Sequence, residues 1–150
     1  MPNIPNLLDL SGKTALVTGA SGGLGKHFAS TLARHGAHVV LAARRADKLA
    51  DAVAEIEQAG GKALAVDMDV TSRESVIAEK VARQIGPLDI LVNNAGVSGT
   101  KRPLDYTDED WDWVVGTNLK GAWVVAQEVA RAMVTQKRTG SIINITSILG

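Results

Sequence analysis

"KTALVTGASGGLG", residues 13–25, decides how this chain folds. Its first part, "KTALVT" (13–18), is aliphatic and β-branched without alternation, as a strand covered on both faces requires. Its second part, "TGASGGLG" (18–25), is a glycine-rich turn that runs into a helical pattern. Strand, glycine turn and helix together make a ready anion site. Backbone N–H groups can approach a phosphate there, and the helix N-terminus adds partial positive charge. Gly19 would make the turn, Gly23 would allow close approach, and Gly25 would let the helix pack on the strand. The spacing is Gly-x-x-x-Gly-x-Gly, not the plain G-x-G-x-x-G. Glycines alone also serve ordinary tight turns. Their position between a buried strand and an amphipathic helix is what points to a nucleotide.

Outward from this stretch the same alternation repeats. Strands are expected at "HVVLAA" (38–43), "KALAVD" (62–67), "LDILVN" (88–93) and "SIINIT" (141–146). Helical patterns fill the gaps. The first, roughly 23–35, carries Leu24, Phe28 and Leu32; the second, roughly 45–59, carries Leu49, Val53 and Ile56. The third starts at "TSRE", where Thr71 and Glu74 fit a capping box, and continues through Ile77, Val81 and Ile85. The fourth covers about 107–137. Thr107 can cap it, and Asp108, Glu109 and Asp110 suit the positive end of its dipole. Its expected buried stripe is Trp111, Val115, Leu119, Ala122, Ala126, Val129 and Met133. This pattern predicts an α/β fold, a doubly wound parallel sheet with strand order 3-2-1-4-5, in one domain spanning 1–150. The aperiodic segment 96–107 follows the fourth strand, at the edge where ligands bind; it lines a site or is a solvated connection.

The second strand addresses which nucleotide is bound. An acidic residue about 20 positions after the first glycine would hold a ribose 2′-hydroxyl. Here the strand ends "LAARRADK": Ala42 and Ala43 stand at that point, then Arg44 and Arg45. Arginine suits a 2′-phosphate, because its planar fork gives paired charged hydrogen bonds. NADP(H) is therefore favoured over NAD(H). The competing reading is two solvated arginines at a helix start.

Composition narrows the rest. Sixteen basic and sixteen acidic residues give zero net charge, so broad attraction to nucleic acid or an anionic membrane is not expected. There is no cysteine, which removes disulfides and thiolate metal sites; no metal site is expected. The amino terminus lacks a secretory pattern and no stretch reaches 18 apolar residues, so a cytoplasmic location is the default expectation. His27, His35 and His38 lie on or beside the first helix and read as surface or packing residues.

Five pieces occur in a telling order: "TGASGGLG" (18–25), "DV" (69–70), "NNAG" (93–96), "TNLKG" (117–121) and "GSIINITS" (140–147). With these the chain resembles the short-chain dehydrogenase/reductase family from about residue 9 onward. The general likeness is to 3-oxoacyl-carrier-protein reductases and to sugar or polyol dehydrogenases. The resemblance implies a Rossmann-like fold and hydride transfer between NADP(H) and a small carbonyl or alcohol. It also implies a homo-oligomer, dimer or tetramer, when the protein is full length. Gly19, Ser21, Gly23, Leu24 and Gly25 would bind the cofactor, with Arg44 and Arg45. Asp69 would accept from the adenine amino group and Val70 would line that pocket; a solvated acid at a strand end is the alternative. Asn94, Ala95 and Gly96 would pass close to the nicotinamide-side ribose, or simply form a turn.

Two residues would carry chemistry. Asn118 falls inside the expected buried stripe, where an unpaired amide costs about 1–3 kcal/mol. It is either a core amide that ties down backbone or, by resemblance, an active-site asparagine that anchors a relay water through a local helix distortion. Ser147 follows the fifth strand and by resemblance would hydrogen-bond the substrate oxygen; otherwise it is a turn or cap residue. Family members also use a Tyr-x-x-x-Lys pair, which should lie about a dozen residues after Ser147. The only tyrosine here is Tyr106, with Asp110 four residues on. The expectation is an amino-terminal part of a reductase with its carboxyl-terminal part missing. The alternative is a non-catalytic nucleotide-binding module or an inactive fragment.

Overall fold

A computed structural model describes residues 7–76 and 86–147. Five parallel strands form one sheet in the order β3-β2-β1-β4-β5, as expected. They are β1 (Thr14–Thr18), β2 (His38–Ala43), β3 (Lys62–Asp67), β4 (Ile90–Asn93) and β5 (Ser141–Asn144). β4 and β5 are shorter than the expected 88–93 and 141–146. Just before β4, Asp89 donates its N–H to the Thr14 carbonyl and its own carbonyl accepts from Ser141 N–H, both at 2.9 Å, and its carboxylate accepts the Thr14 N–H at 3.0 Å.

All of β1 is buried, and its alternate residues enter two different cores. Leu16 joins Val40 and Leu91 on the face covered by Val124, Val125, Val129 and Met133. Ala15 and Val17 join Val39 and Leu41 on the face covered by Ala29, Ala33, Leu49, Ala52 and Ile56. A run apolar on both faces is thus required, which is why the strand shows no alternation. Each buried Leu or Val side chain contributes about 1.5–3 kcal/mol relative to exposure.

The second face is made by α1 (Gly23–Arg34) and α2 (Ala46–Gln58). α1 buries Gly25, Ala29 and Ala33, while the expected Leu24 stands exposed. Small residues face the sheet there because the helix starts close against it; Phe28 and Leu32 pack only at the flank. α3 (Arg73–Val76) opens without the expected Thr71–Glu74 box. The Thr71 hydroxyl donates instead to Asp69 Oδ1 at 2.7 Å, and Ser72 takes the capping place, accepting from Ser75 N–H at 3.4 Å. Ile77, Val81 and Ile85 lie outside the described residues.

The expected fourth helix is three pieces: α4 (Asp108–Val115), a π turn (Gly116–Gly121) and α5 (Ala122–Thr135). Thr107 caps α4 as expected, in a capping box with Asp110. The expected stripe fails at its upstream end: Trp111 is 63% and Leu119 69% exposed. A π turn bonds i to i+5, so it shifts the phase of a 3.6-residue stripe drawn through it. Downstream, Val129 and Met133 are buried as expected, together with Val124 and Val125. Among the described residues no helix is long and apolar enough to cross a membrane.

Candidate functional site

The chain reverses its winding direction about β1, whose neighbours are β2 and β4. A crevice opens at the carboxyl edge of such a pair. Two side chains join its two walls, and a third fixes β4 from the far side. Thr18 Oγ1 accepts from the N–H groups of Asn94 and Ala95, both at 3.0 Å. Asn94 Nδ2 donates to the Thr18 carbonyl at 3.1 Å. Asn93 Nδ2 donates to the Ala122 carbonyl at 2.9 Å and to Asn144 Oδ1 at 3.0 Å, tying β4 to α5 and β5.

The glycine turn sits on this splice with no room to spare. Gly19 has φ +67°, and a Cβ there would lie 2.9 Å from Ala95 Cα. A Cβ on Gly25 would lie 2.4 Å from the Gly19 carbonyl oxygen and 2.6 Å from Asn94 Nδ2. These glycines let backbone approach backbone, which leaves the crevice above them open. That crevice is a groove of 300 Å³, at the lower end of ligand-pocket sizes. Of the expected cofactor residues, Gly19, Ser21, Arg44, Arg45, Asp69, Val70, Ala95 and Gly96 line it. Gly23, Leu24, Gly25 and Asn94 do not: Gly25 and Asn94 support the turn from beneath, and Leu24 points away exposed.

At one end of the groove Arg45 Nη2 donates to Ser21 Oγ at 3.0 Å, with Arg44 beside it. Beyond the end of the neighbouring β3, Asp69 Oδ1 accepts from the Thr71 hydroxyl at 2.7 Å and the Thr71 N–H at 2.9 Å. These bonds, with the nearby Arg44 charge, hold its carboxyl below the ordinary range against a desolvation cost. It is therefore an acceptor at neutral pH. The arrangement fits a dinucleotide: a bare glycine turn for phosphates, with a cationic fork and a fixed acceptor near one another beyond the ends of β2 and β3.

Asn118 lies in the π turn, where the resemblance places a helix distortion. It is exposed, not buried in a stripe. Its Oδ1 accepts from Val97 N–H and its Nδ2 donates to Val97 C=O, both at 2.8 Å. It thus ties down backbone, but at the groove's rim. Its neighbour Thr117 is buried and lines the groove. The π turn packs on Val70, because a Cβ on Gly121 would lie 2.9 Å from Val70 Cγ2. In segment 96–107, Gly96 and Val97 line the groove, while residues 98–105 are exposed. Pro103–Asp105 forms one 3-10 turn, and Lys101 pairs with Asp110. That pair and the Thr107 N–H hold the Asp110 carboxyl at about 2. Ser147 is exposed past the end of β5 and is not a groove-lining residue.

Sequence reasoning missed Thr18, Met68, Thr71 and Thr117. For Thr71 a signal existed, since Asp-x-Thr is a local side-chain turn pattern. Thr18 and Thr117 carry none, because their roles depend on partners 76 and more residues away or on the π turn.

The pattern described as short chain dehydrogenase matches residues 13–150. Gluconate 5-dehydrogenase of Gluconobacter oxydans is 43% identical over 146 residues, covering 96% of this chain and 57% of that protein. The 3-oxoacyl-[acyl-carrier-protein] reductase FabG of Escherichia coli is 41% identical over 144 residues, covering 95% and 58%. Among solved structures, a short-chain type dehydrogenase/reductase from Mycobacterium marinum superposes with TM-score 0.91 at 42% identity, covering 95% of this chain and 58% of that one. Actinorhodin polyketide ketoreductase, solved with NADPH, superposes with TM-score 0.85 at 38% identity, covering 90% and 53%. The chain therefore spans less than two thirds of the length of these relatives. A family pattern matched from β1 onward, on the same sheet order and glycine turn, makes this chain a member of the short chain dehydrogenase family.

Proposed function

We propose that the groove binds NADP(H) and serves interconversion of a small carbonyl and an alcohol in the cytoplasm. The observation that carries the cofactor choice is Arg45 on Ser21 at 3.0 Å, beside Arg44, where β2 ends without an acid. Those two guanidinium groups would hold a 2′-phosphate. The turn N–H groups after Gly19 would face the pyrophosphate, and Asp69 with Val70 would take the adenine. Bound nicotinamide would supply or accept the hydride. Ser147 would donate a hydrogen bond to the substrate oxygen, and Asn118 would hold the Val97 wall and the relay side of the site. Small-molecule relatives with names such as gluconate 5-dehydrogenase and 3-oxoacyl reductase support this reaction class.

The proton-transferring Tyr-x-x-x-Lys pair is not found in residues 1–150, where Tyr106 is the only tyrosine. By themselves these 150 residues are expected to bind cofactor weakly at best and to turn over little or nothing. The test is a pair of fluorescence titrations with NADPH and NADH, followed by a ketone-reduction assay. Tighter NADPH binding supports the reading, and tighter NADH binding overturns the cofactor choice. Ready NADPH-dependent reduction by this chain would overturn the need for the pair.

A further inference from the structure

The opposite edge of the sheet carries a second concave surface. A depression of 470 Å³ lies at the amino ends of β1, β2 and β3. A second, of 400 Å³, continues from it between α1 and α2; the two share Ala33, Gly60 and Gly61. The floor is bare backbone. Gly12 and Gly60 have φ +76° and +83°, and a Cβ on either would meet nothing within 4 Å.

The ionisable groups on this furrow are one-sided. Lys13, His38 and Lys62 line the first part, and His27 and Arg34 the second. The strand register sets His38 directly beside Lys62. The one carboxylate, Glu55, is held by Lys26 at 2.6 Å. Lys13 reaches Asp89 only at 3.7 Å, and Arg138 already holds that carboxylate at 2.7 Å. Lys62 has no ion pair among the described residues. The whole chain has zero net charge, so this local excess is not a reflection of overall composition. Like charges gathered in a concavity raise the local concentration of counter-ions of opposite sign.

We infer that this furrow is a second anion site, for a small multivalent anion of the oligophosphate type, at the edge opposite the dinucleotide groove. Lys13 and Lys62 flank the anion, and Arg34 extends the site for a longer one.

Inorganic tripolyphosphate at low ionic strength is the probe, followed by the histidine ring NMR signals of the whole chain. An Arg44→Gln/Arg45→Gln background removes the guanidinium groups of the opposite groove, and the reporting histidines lie on the furrow and not on that groove. Saturable shifts of His27 and His38 in that background are expected. Lys13→Gln/Lys62→Gln should weaken the response about tenfold, while Lys13→Arg/Lys62→Arg should retain it. Lys120→Gln/Lys137→Gln, at exposed positions away from the furrow, should leave it unchanged. Equal weakening by both lysine-to-glutamine pairs would reveal a diffuse charge effect and overturn the site. So would the absence of saturation below about 10 mM, since that corresponds to less than about 3 kcal/mol of binding.

Discussion

Asn118 holds the Val97 peptide at both ends, accepting from its N–H and donating to its carbonyl, each at 2.8 Å. The two bonds join the π turn to the loop after β4. Asn118→Leu would remove both, and Asn118→Asp would keep only the acceptor. Losing a hydrogen bond costs about 0.5–1.5 kcal/mol net, and more where a partner is left unsatisfied. Amide exchange at Val97 is expected to speed up about tenfold or more in Asn118→Leu, with a smaller effect in Asn118→Asp. Unchanged exchange in the leucine variant would remove the clamp.

Arg45 and Ser21 make the cofactor choice testable one residue at a time. Charge-assisted bonds contribute about 1.5–3 kcal/mol. Arg45→Gln is expected to weaken NADPH binding about tenfold or more and to leave NADH within about twofold. Equal loss for both nucleotides would mean that Arg45 does not read the 2′ position.

Gly25 has no space for a methyl group. The added carbon would press on the Gly19 carbonyl and displace Asn94 from its two acceptors, Thr18 and Gly19. Overpacking of this type costs about 1–3 kcal/mol. The urea midpoint of Gly25→Ala should fall accordingly, whereas Gly22→Ala, with nothing within 4 Å, should change it far less.

Asp89 links three segments at the amino edge, through Thr14, Arg138 and, at longer range, Lys13. Burial alone would raise its pKa. The Arg138 hydrogen bond, the Thr14 N–H and the charges of Arg138 and Lys13 outweigh burial and hold it below the ordinary 3.8. A carboxyl lowered on folding contributes stability above its unfolded pKa, and that contribution is lost as pH falls through the folded one. Stability should therefore decline below about pH 4. Asp89→Asn should cost about 1.5–3 kcal/mol at neutral pH and make that acid decline shallower. An acid profile identical to the parent's would rule Asp89 out as its source.

Among the described residues β5 is an outer strand of the sheet, with Ile142, Ile143 and Ile145 exposed by 38%, 46% and 37%. Unpaired apolar edges invite association. Light scattering should find the chain larger than a monomer, and Ile143→Lys should shift it toward one. A parent that is monomeric at all concentrations would contradict this.

The sheet and the glycine turn were legible because both are written locally. A doubly covered strand has to be apolar on both faces, and residues 15–17 and 39–43 are. The cofactor groove was legible where residue type and position coincide, at Arg44, Arg45 and Asp69. What stayed hidden depends on partners far away in the chain. Thr18 looks like any strand threonine until Asn94 and Ala95 donate to it. Thr71 reads as a cap although Asp-x-Thr is a local signal, because the capping-box pattern with Glu74 competes with it. Trp111 and Leu119 fell into a false stripe because the π turn changes the period between them and Met133. Of the two grounds for Asn118, the buried stripe does not hold, since its amide is exposed and taken by Val97, while the helix distortion is there as the π turn.

That extra winding between Gly116 and Gly121 makes chain length, more than residue type, the sensitive variable there. Deleting one residue would let the backbone relax into ordinary helix, and circular dichroism would register almost no loss. The flanking helices would keep nearly their present phase, because the π turn holds one residue more than a 3.6-residue repeat needs. The turn itself would lose the bulged backbone that sets Thr117 into the groove and Asn118 on Val97. A single-codon deletion here is expected to give a well-folded protein altered at that wall of the groove alone.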